Sequence, residues 1–377
     1  MNTLKLAFIS LGKKILILVL IILELTALFM TEIYMINALE ERSILNAPYS
    51  KLLNENCFVV YDSKYIQKIM ENQKLTMTES HNELLKDLKG DYQVYDTMHV
   101  NTDLYHIVSV NDDIYKALKL PLSSGSYGTE KNSAVASKTV PKGNLAVQTA
   151  DGSLELNICG TLTENTYIPS TSSYNIDMTI NDLYFPTYID NLIITNRSAI
   201  KGFEDQFTCN IGFLIVFKSD IEENVNLLKS KADVLDGPTF AENTRKALND
   251  DLRNFLPLLC CLILIVIIGI VCVSLTIFNE NRYSNGVLWL CGYSKARILA
   301  VHAQSIIILP IISLIVSALA ILIFKLINSE FVTNIRFTLP CFASALITCF
   351  FLLIVSMAVP MIKTAGKSPV EYLGRSK

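Results

Sequence analysis

Four long apolar runs constrain this chain more than any other feature. They are Lys13 to Ile36, Phe255 to Phe278, His302 to Ile327 and Phe337 to Ile362. Each supplies the roughly 20 apolar residues that a helix rising about 1.5 Å per residue needs to cross about 30 Å of hydrocarbon. With 51% hydrophobic and 18% charged residues in a length of 377, the composition is that of a multi-pass membrane protein rather than an ordinary soluble enzyme. The first run follows Lys5, Lys13 and Lys14, as a cleaved signal peptide would. Its apolar core continues to about Met35 with no small-x-small cleavage site close behind, so a retained anchor is expected.

Charge orients the spans. Lys5, Lys13 and Lys14 flank the first; Arg282, Lys295 and Arg297 lie between the second and third; Lys363, Lys367, Arg375 and Lys377 follow the fourth. Only Glu280 and Glu371 oppose these basic residues, so the positive-inside bias places the three segments, and both termini, in the cytoplasm. The expected organisation is a cytoplasmic start and first span (1–37), an extracytoplasmic domain (38–254), the second span (255–278), a cytoplasmic helix and loop (279–301), the third span (302–327), a short external loop (328–336), the fourth span (337–362) and a cytoplasmic tail (363–377). The location is then the plasma or inner membrane. The domain carries 20 basic against 30 acidic residues, which suits export and says little about a partner.

The region 38–254 is long enough to bury its own core. "NENCFVVYDSKYIQKIMENQ" reads as a short buried strand, a turn at Asp62 and Ser63, and a helix with Ile66, Ile69 and Met70 on one side. "DYQVYDTMHVNTDLYHIVSVNDDIYKAL" reads as two strands and a helix. Short strands follow from Leu120, with a hairpin expected at Asp151-Gly152. "FTCNIGFLIVFKSDIEENVNLLKSKADVL" gives strand, helix N-capped by Asp220, and strand. A last helix, about Thr239 to Arg253, is expected to run into the second span. The fold class is an α-helical membrane protein with four transmembrane helices and a mixed α+β domain between the first and second.

Chemistry is sparse. Cys57, Cys159 and Cys209 are the only cysteines of the domain, so no disulfide framework is expected. His99 and His106 lie near Asp96 and Asp103 without any zinc or calcium spacing, so no metal site is assigned. Neither a Gly-x-Ser-x-Gly nor a Gly-x-x-x-x-Gly-Lys-Ser/Thr phosphate loop is present, so no catalytic residue is assigned and the chain itself holds no nucleotide site. Within the first span, Glu24 sits near mid-membrane, where a charge costs at least about 2.5 kcal/mol. It is expected to face the bundle, toward Ser274, Ser313 or a partner chain, protonated or hydrogen-bonded. Ser313 and Ser317, four residues apart, permit close helix packing in the third span.

The segment "NGVLWLCGYSKARILAVHAQ", Asn285 to Gln304, stands apart, polar and holding the only Trp between two apolar runs. Trp289 stacks with Asn285 and Tyr293 at spacing four, while Val287, Leu290 and Cys291 share another side. Gly292 is expected to end this helix in a left-handed cap and Ser294 to begin the next. Two readings fit: an interfacial helix anchored among lipid headgroups, or a docking helix offered to a cytoplasmic protein.

"SNGVLWLCGYSKARILAVHAQSIIIL" resembles the segment between the second and third spans of FtsX-like and MacB-like ABC transporter permeases. Lys367 with "SPVEYL" is similar to the family's C-terminal Lys-x-Pro-x-x-x-Leu pattern. "LKLPLSSGSYGTEKNSAVAS" followed by "GNLAVQTADGSLELNICGTL" resembles the MacB-type exported core. Ser284 replaces a Glu common in the family.

The resemblance implies a mechanotransmission role. A separate cytoplasmic ABC ATPase dimer would hold ATP and Mg and dock on Asn285, Val287, Leu288, Trp289, Gly292 and Tyr293, with Lys367, Pro369 and Leu373 as the C-terminal motif. This chain would carry no cofactor. Two permease chains, identical or related, would pair, with an extracytoplasmic accessory protein as a further partner and no nucleic acid. The load would be a peptide, an antimicrobial or a lipid-linked substrate. Alternatives are an FtsX-like regulator of a cell-wall hydrolase and a membrane-anchored sensor or binding protein without an ATPase.

Overall fold

The computed structural model describes residues 15–53, 56–71, 75–150, 152–163, 166–171, 174–187, 189–327 and 337–365. The chain forms two compact units, one of residues 40–250 and one of residues 1–39 with 251–377. It opens with helix α1 (Ile15–Asn46), which contributes to both.

In the first unit an antiparallel sheet has the order β14 (Asp233–Asp236), β1 (Cys57–Tyr61), β13 (Gly212–Phe217), β2 (Tyr92–Tyr95). Every residue of β1 is buried because both of its faces are covered. With side chains alternating along the strand, Cys57 and Val59 enter the largest core, while Phe58 and Val60 pack with Val225 and Leu228 of helix α5 (Ile221–Lys231). Asp220 precedes α5 in a left-handed conformation and makes no side-chain capping bond, unlike the N-cap its sequence suggests. Helix α2 (Ser63–Met70) is N-capped by Asp62, which accepts from Tyr65 N at 3.0 Å. Its expected apolar side is not buried: Ile69 and Met70 are exposed. Helix α3 (Met77–Leu85) begins at a Thr76–Glu79 capping box and sends Met77 and Leu84 into separate cores.

The larger sheet is mixed. Its order is β12 (Thr208–Cys209), β3 (Thr97–Asn101), β4 (His106–Val110), β11 (Leu192–Asn196), β6 (Ser133–Ala136), β8 (Gly152–Leu162), β5 (Leu122–Gly125), with β7 (Gly143–Thr149) also on β8. The pairs β4/β11 and β6/β8 are parallel. Thr149 lies opposite Gly152, so Gly152 begins β8 rather than forming the expected turn, and Asp151 lies outside the described residues. Between Asp91 and Leu118 the sequence suggests two strands and a helix, yet three strands precede helix α4 (Asp112–Ala117). The added strand arises at Asp96, where the chain leaves the smaller sheet and enters the larger. Arg197 pairs with the Asp96 carboxylate there and donates Nη2 to its carbonyl at 3.1 Å. A two-stranded ribbon, β9 (Thr166–Pro169) with β10 (Tyr184–Thr187), completes the unit.

In the second unit, α1 is joined by α6 (Gly237–Glu280), α7 (Arg282–Leu290), α8 (Lys295–Ile327) and α9 (Leu339–Ala365). Four of these, α1, α6, α8 and α9, are long and apolar enough to cross a membrane. Helix α6 is unbroken and includes its first residues in the α+β unit. Leu25, Phe29, Ile270, Ile306, Leu309 and Leu352 meet in the bundle core, while Leu23, Ile268, Ile315 and Phe350 point outward, exposed. Apolar residues on both the inner and outer faces are what a helix in lipid requires.

Candidate functional site

The polar segment between α6 and α8 folds as the short helix α7 followed by a tight turn. Gly292 adopts φ +90°. Its N–H donates to Trp289 O at 3.0 Å, and Tyr293 N–H reaches back to Leu288 O at 3.1 Å. These are the two bonds of a Schellman cap, which satisfies carbonyls the helix end leaves unpaired. Ser294 then caps α8, its Oγ accepting from Arg297 N at 3.3 Å.

Because α7 stops at Leu290, Tyr293 is past the cap, and the spacing-four stack of Trp289 on Tyr293 does not form. Cations from α8 cover both rings instead. Lys295 Nζ lies 4.8 Å from the Trp289 ring centre and the Arg297 guanidinium 4.7 Å from that of Tyr293, each within cation–π range. Trp289, Tyr293, Leu288 and Asn285 are half-buried, whereas Val287 and Gly292 are exposed. The outward stripe is Tyr283, Val287 and Leu290, at 63%, 39% and 60% exposure. That spacing of four then three is one helical face, legible in the sequence once Tyr283 is counted. The motif residues Lys367, Pro369 and Leu373 lie outside the described residues.

Polar groups also bond within the bundle interior. Ser313 and Ser317 are fully buried, and the single proton of Ser317 Oγ is shared between Ser313 O at 2.7 Å and Thr26 O of α1 at 3.3 Å. Ser274 Oγ donates to Ser356 O at 2.7 Å and bonds His302 Nε2 at 2.9 Å. With its one proton committed to the carbonyl, Ser274 accepts from His302, which fixes the proton of a neutral imidazole on Nε2. Glu32 Oε1 accepts from Ser344 and from Thr348, the latter at 3.0 Å. Sequence reasoning passed over Glu32 and the His302 site; the signal for the first was a second acid inside an apolar run.

Ser274 and Ser313 bond other groups, the first as above and the second Leu309 O at 2.9 Å. Glu24 packs on Gly269 of α6, where an added Cβ would lie 2.8 Å from Glu24 Oε2. That oxygen is buried without a hydrogen-bond partner among the described residues.

Four helices long and apolar enough to cross a membrane, with an α+β unit between the first and second, give the architecture of a multi-span membrane protein. Residues 258–369 match the family model of the FtsX-like permease C-terminal domain. Among solved structures, the periplasmic region of MacB from Actinobacillus actinomycetemcomitans is similar at 10% identity and a TM-score of 0.25, over 49% of this chain and 90% of that one. No curated protein matches the chain in sequence.

Proposed function

We propose that the chain is the permease subunit of an ABC transporter that couples hydrolysis by a separate ATPase to movement of its extracytoplasmic α+β unit. The observation that carries this reading is the capped helix α7, with its outward apolar stripe, inside the segment that matches the FtsX-like permease domain. On this reading α7 and both termini are cytoplasmic, and two permease chains serve one ATPase dimer that holds the ATP and Mg. An extracytoplasmic accessory protein completes the route of a peptide, antimicrobial or lipid-linked substrate.

The stripe Tyr283, Val287 and Leu290 supplies the apolar anchors of the ATPase contact, and Trp289 and Tyr293, under their cations, hold the turn that presents it. Copurification from membranes tests both parts. Tyr283→Ala with Leu290→Ala removes the ATPase from the purified complex, and Trp289→Ala with Tyr293→Ala weakens its retention, with membrane insertion intact in each case. Retention of the ATPase in both double variants would exclude this helix as the docking surface.

A further inference from the structure

Both helices that lead out of the α+β unit are seated in its largest core. Leu45 near the end of α1, Tyr49 in the turn behind it and Phe240 in the first turn of α6 are almost fully buried in one cluster. The segment 176–184 runs from one helix to the other. At its start, Asn243 of α6 donates Nδ2 to the carbonyls of Ile176 and Met178, at 3.0 and 3.4 Å. The Ile180 N–H donates to Thr244 Oγ1 at 3.0 Å. At its end, the Tyr184 hydroxyl donates to Leu45 O at 3.0 Å. That acceptor is among the last carbonyls of α1, which the helix cannot satisfy itself.

Between the two latches there is no slack. Residues Ile180–Leu183 form a single 3-10 turn, with Thr179 N donating to Asp182 Oδ2 at 2.7 Å. Met178, Ile180 and Leu183 are each 1% exposed and belong to the same cluster as Leu45 and Phe240. Tyr184 also sets its ring edge-on to Tyr49. A shift of α6 along or about its axis therefore strains bonds at one end of a short, packed segment whose other end holds α1.

We propose that 176–184 is a strap that locks the domain-side ends of α1 and α6 to each other, so that the two latches open as one event. The tie stands on these contacts alone; its use as the element that takes up helix movement during ATP hydrolysis rests on the permease reading.

Hydrogen exchange by mass spectrometry on the full-length chain in detergent tests it. Tyr184→Phe removes one hydroxyl and keeps the ring, and the strap then exchanges roughly fivefold faster at 178–180 as well as at 184, as loss of a typical net hydrogen bond implies. Asn243→Ala with Thr244→Val does the same from the other side, loosening 40–49. Each variant loosening only its own latch would overturn the proposal. In complex with the ATPase, nucleotide changes exchange across 176–184 of the unmodified chain; no change there with the ATPase bound would remove the strap from the path of movement. Absence of any copurifying ATPase would instead count against the permease reading, with the tie decided by the two variants.

Discussion

Gly292 gives the sharpest test of the turn that presents α7. Its φ of +90° is one that L-residues rarely adopt, and a Cβ added there would meet nothing within 4 Å. Gly292→Ala therefore introduces no clash, and its whole cost is backbone strain, about 1–2 kcal/mol for an L-residue held left-handed. That corresponds to a roughly 5- to 30-fold smaller population of the capped turn. The bonds at stake are Gly292 N–H to Trp289 O and Tyr293 N–H to Leu288 O. Hydrogen exchange over 288–295 reads them directly, with Gly292→Asn as a control, since Asn tolerates this region better. The expected result is faster exchange in the Ala variant by that factor, with the Asn variant between it and the parent. An Ala variant indistinguishable from the parent would mean that the cap does not hold this turn, and that the presentation of α7 has another origin.

Two further predictions concern buried groups. Glu24→Gln, which keeps the size of the side chain and carries no charge, leaves thermal stability in detergent at or above that of the parent, while Glu24→Lys lowers it, since a cation at mid-membrane costs at least about 2.5 kcal/mol; equal behaviour would place the side chain in water instead of against Gly269. Burial holds His81 below the ordinary imidazole range, against the opposing pull of the Ile211 carbonyl, Asp96 and Asp62. The unfolded chain then takes up this proton first, so the contribution is complete above about pH 6.5 and is lost as pH falls, by at most about 1.4 kcal/mol per pH unit. Burial also lowers His99 and His106, which act in the same direction, so the isolating variant is His81→Gln. Its unfolding in detergent between pH 7.5 and 5 has the shallower slope, and an unchanged slope would assign the acid sensitivity elsewhere.

What the sequence made legible was local. The apolar runs, the glycine that ends α7 and the serine that starts α8 act through their own backbone and nearest turns, and each can be recognised in isolation. Asp96 could not be, because an extended run that changes sheets keeps its alternation across the change, and only the partners differ: Tyr95 pairs with Leu214 and Thr97 with Val110. The aromatic pair of the polar segment departs from its sequence spacing for a related reason. Spacing four implies stacking only while the helix continues, and the same Gly292 that was correctly placed as a cap prevents it. Glu32 has partners more than 300 positions away, so its role depends wholly on which helix packs beside α1.

Those distant partners bear on how the bundle holds together. In lipid, apolar side chains gain no hydrophobic free energy by moving from hydrocarbon to a neighbouring helix, so the large exposed residues of α6 and α8 do little to fix helix order. Direction must come from groups that hydrocarbon penalises. Thr26 O with Ser317 joins α1 to α8, Glu32 with Ser344 and Thr348 joins α1 to α9, and Ser274 bonds both His302 of α8 and the Ser356 carbonyl of α9. Each contact ties different helices, and together they connect all four. Two carboxyl oxygens of α1, Glu24 Oε2 against Gly269 and Glu32 Oε2, are buried without a hydrogen-bond partner among the described residues. None of these polar ties joins α1 directly to α6, which meet through packing, Glu24 against Gly269 and Tyr34 against Phe255. These are also the two helices that contribute residues to the α+β unit, so among the described residues the helices shared by both units are joined within the bundle by packing and not by a direct polar tie.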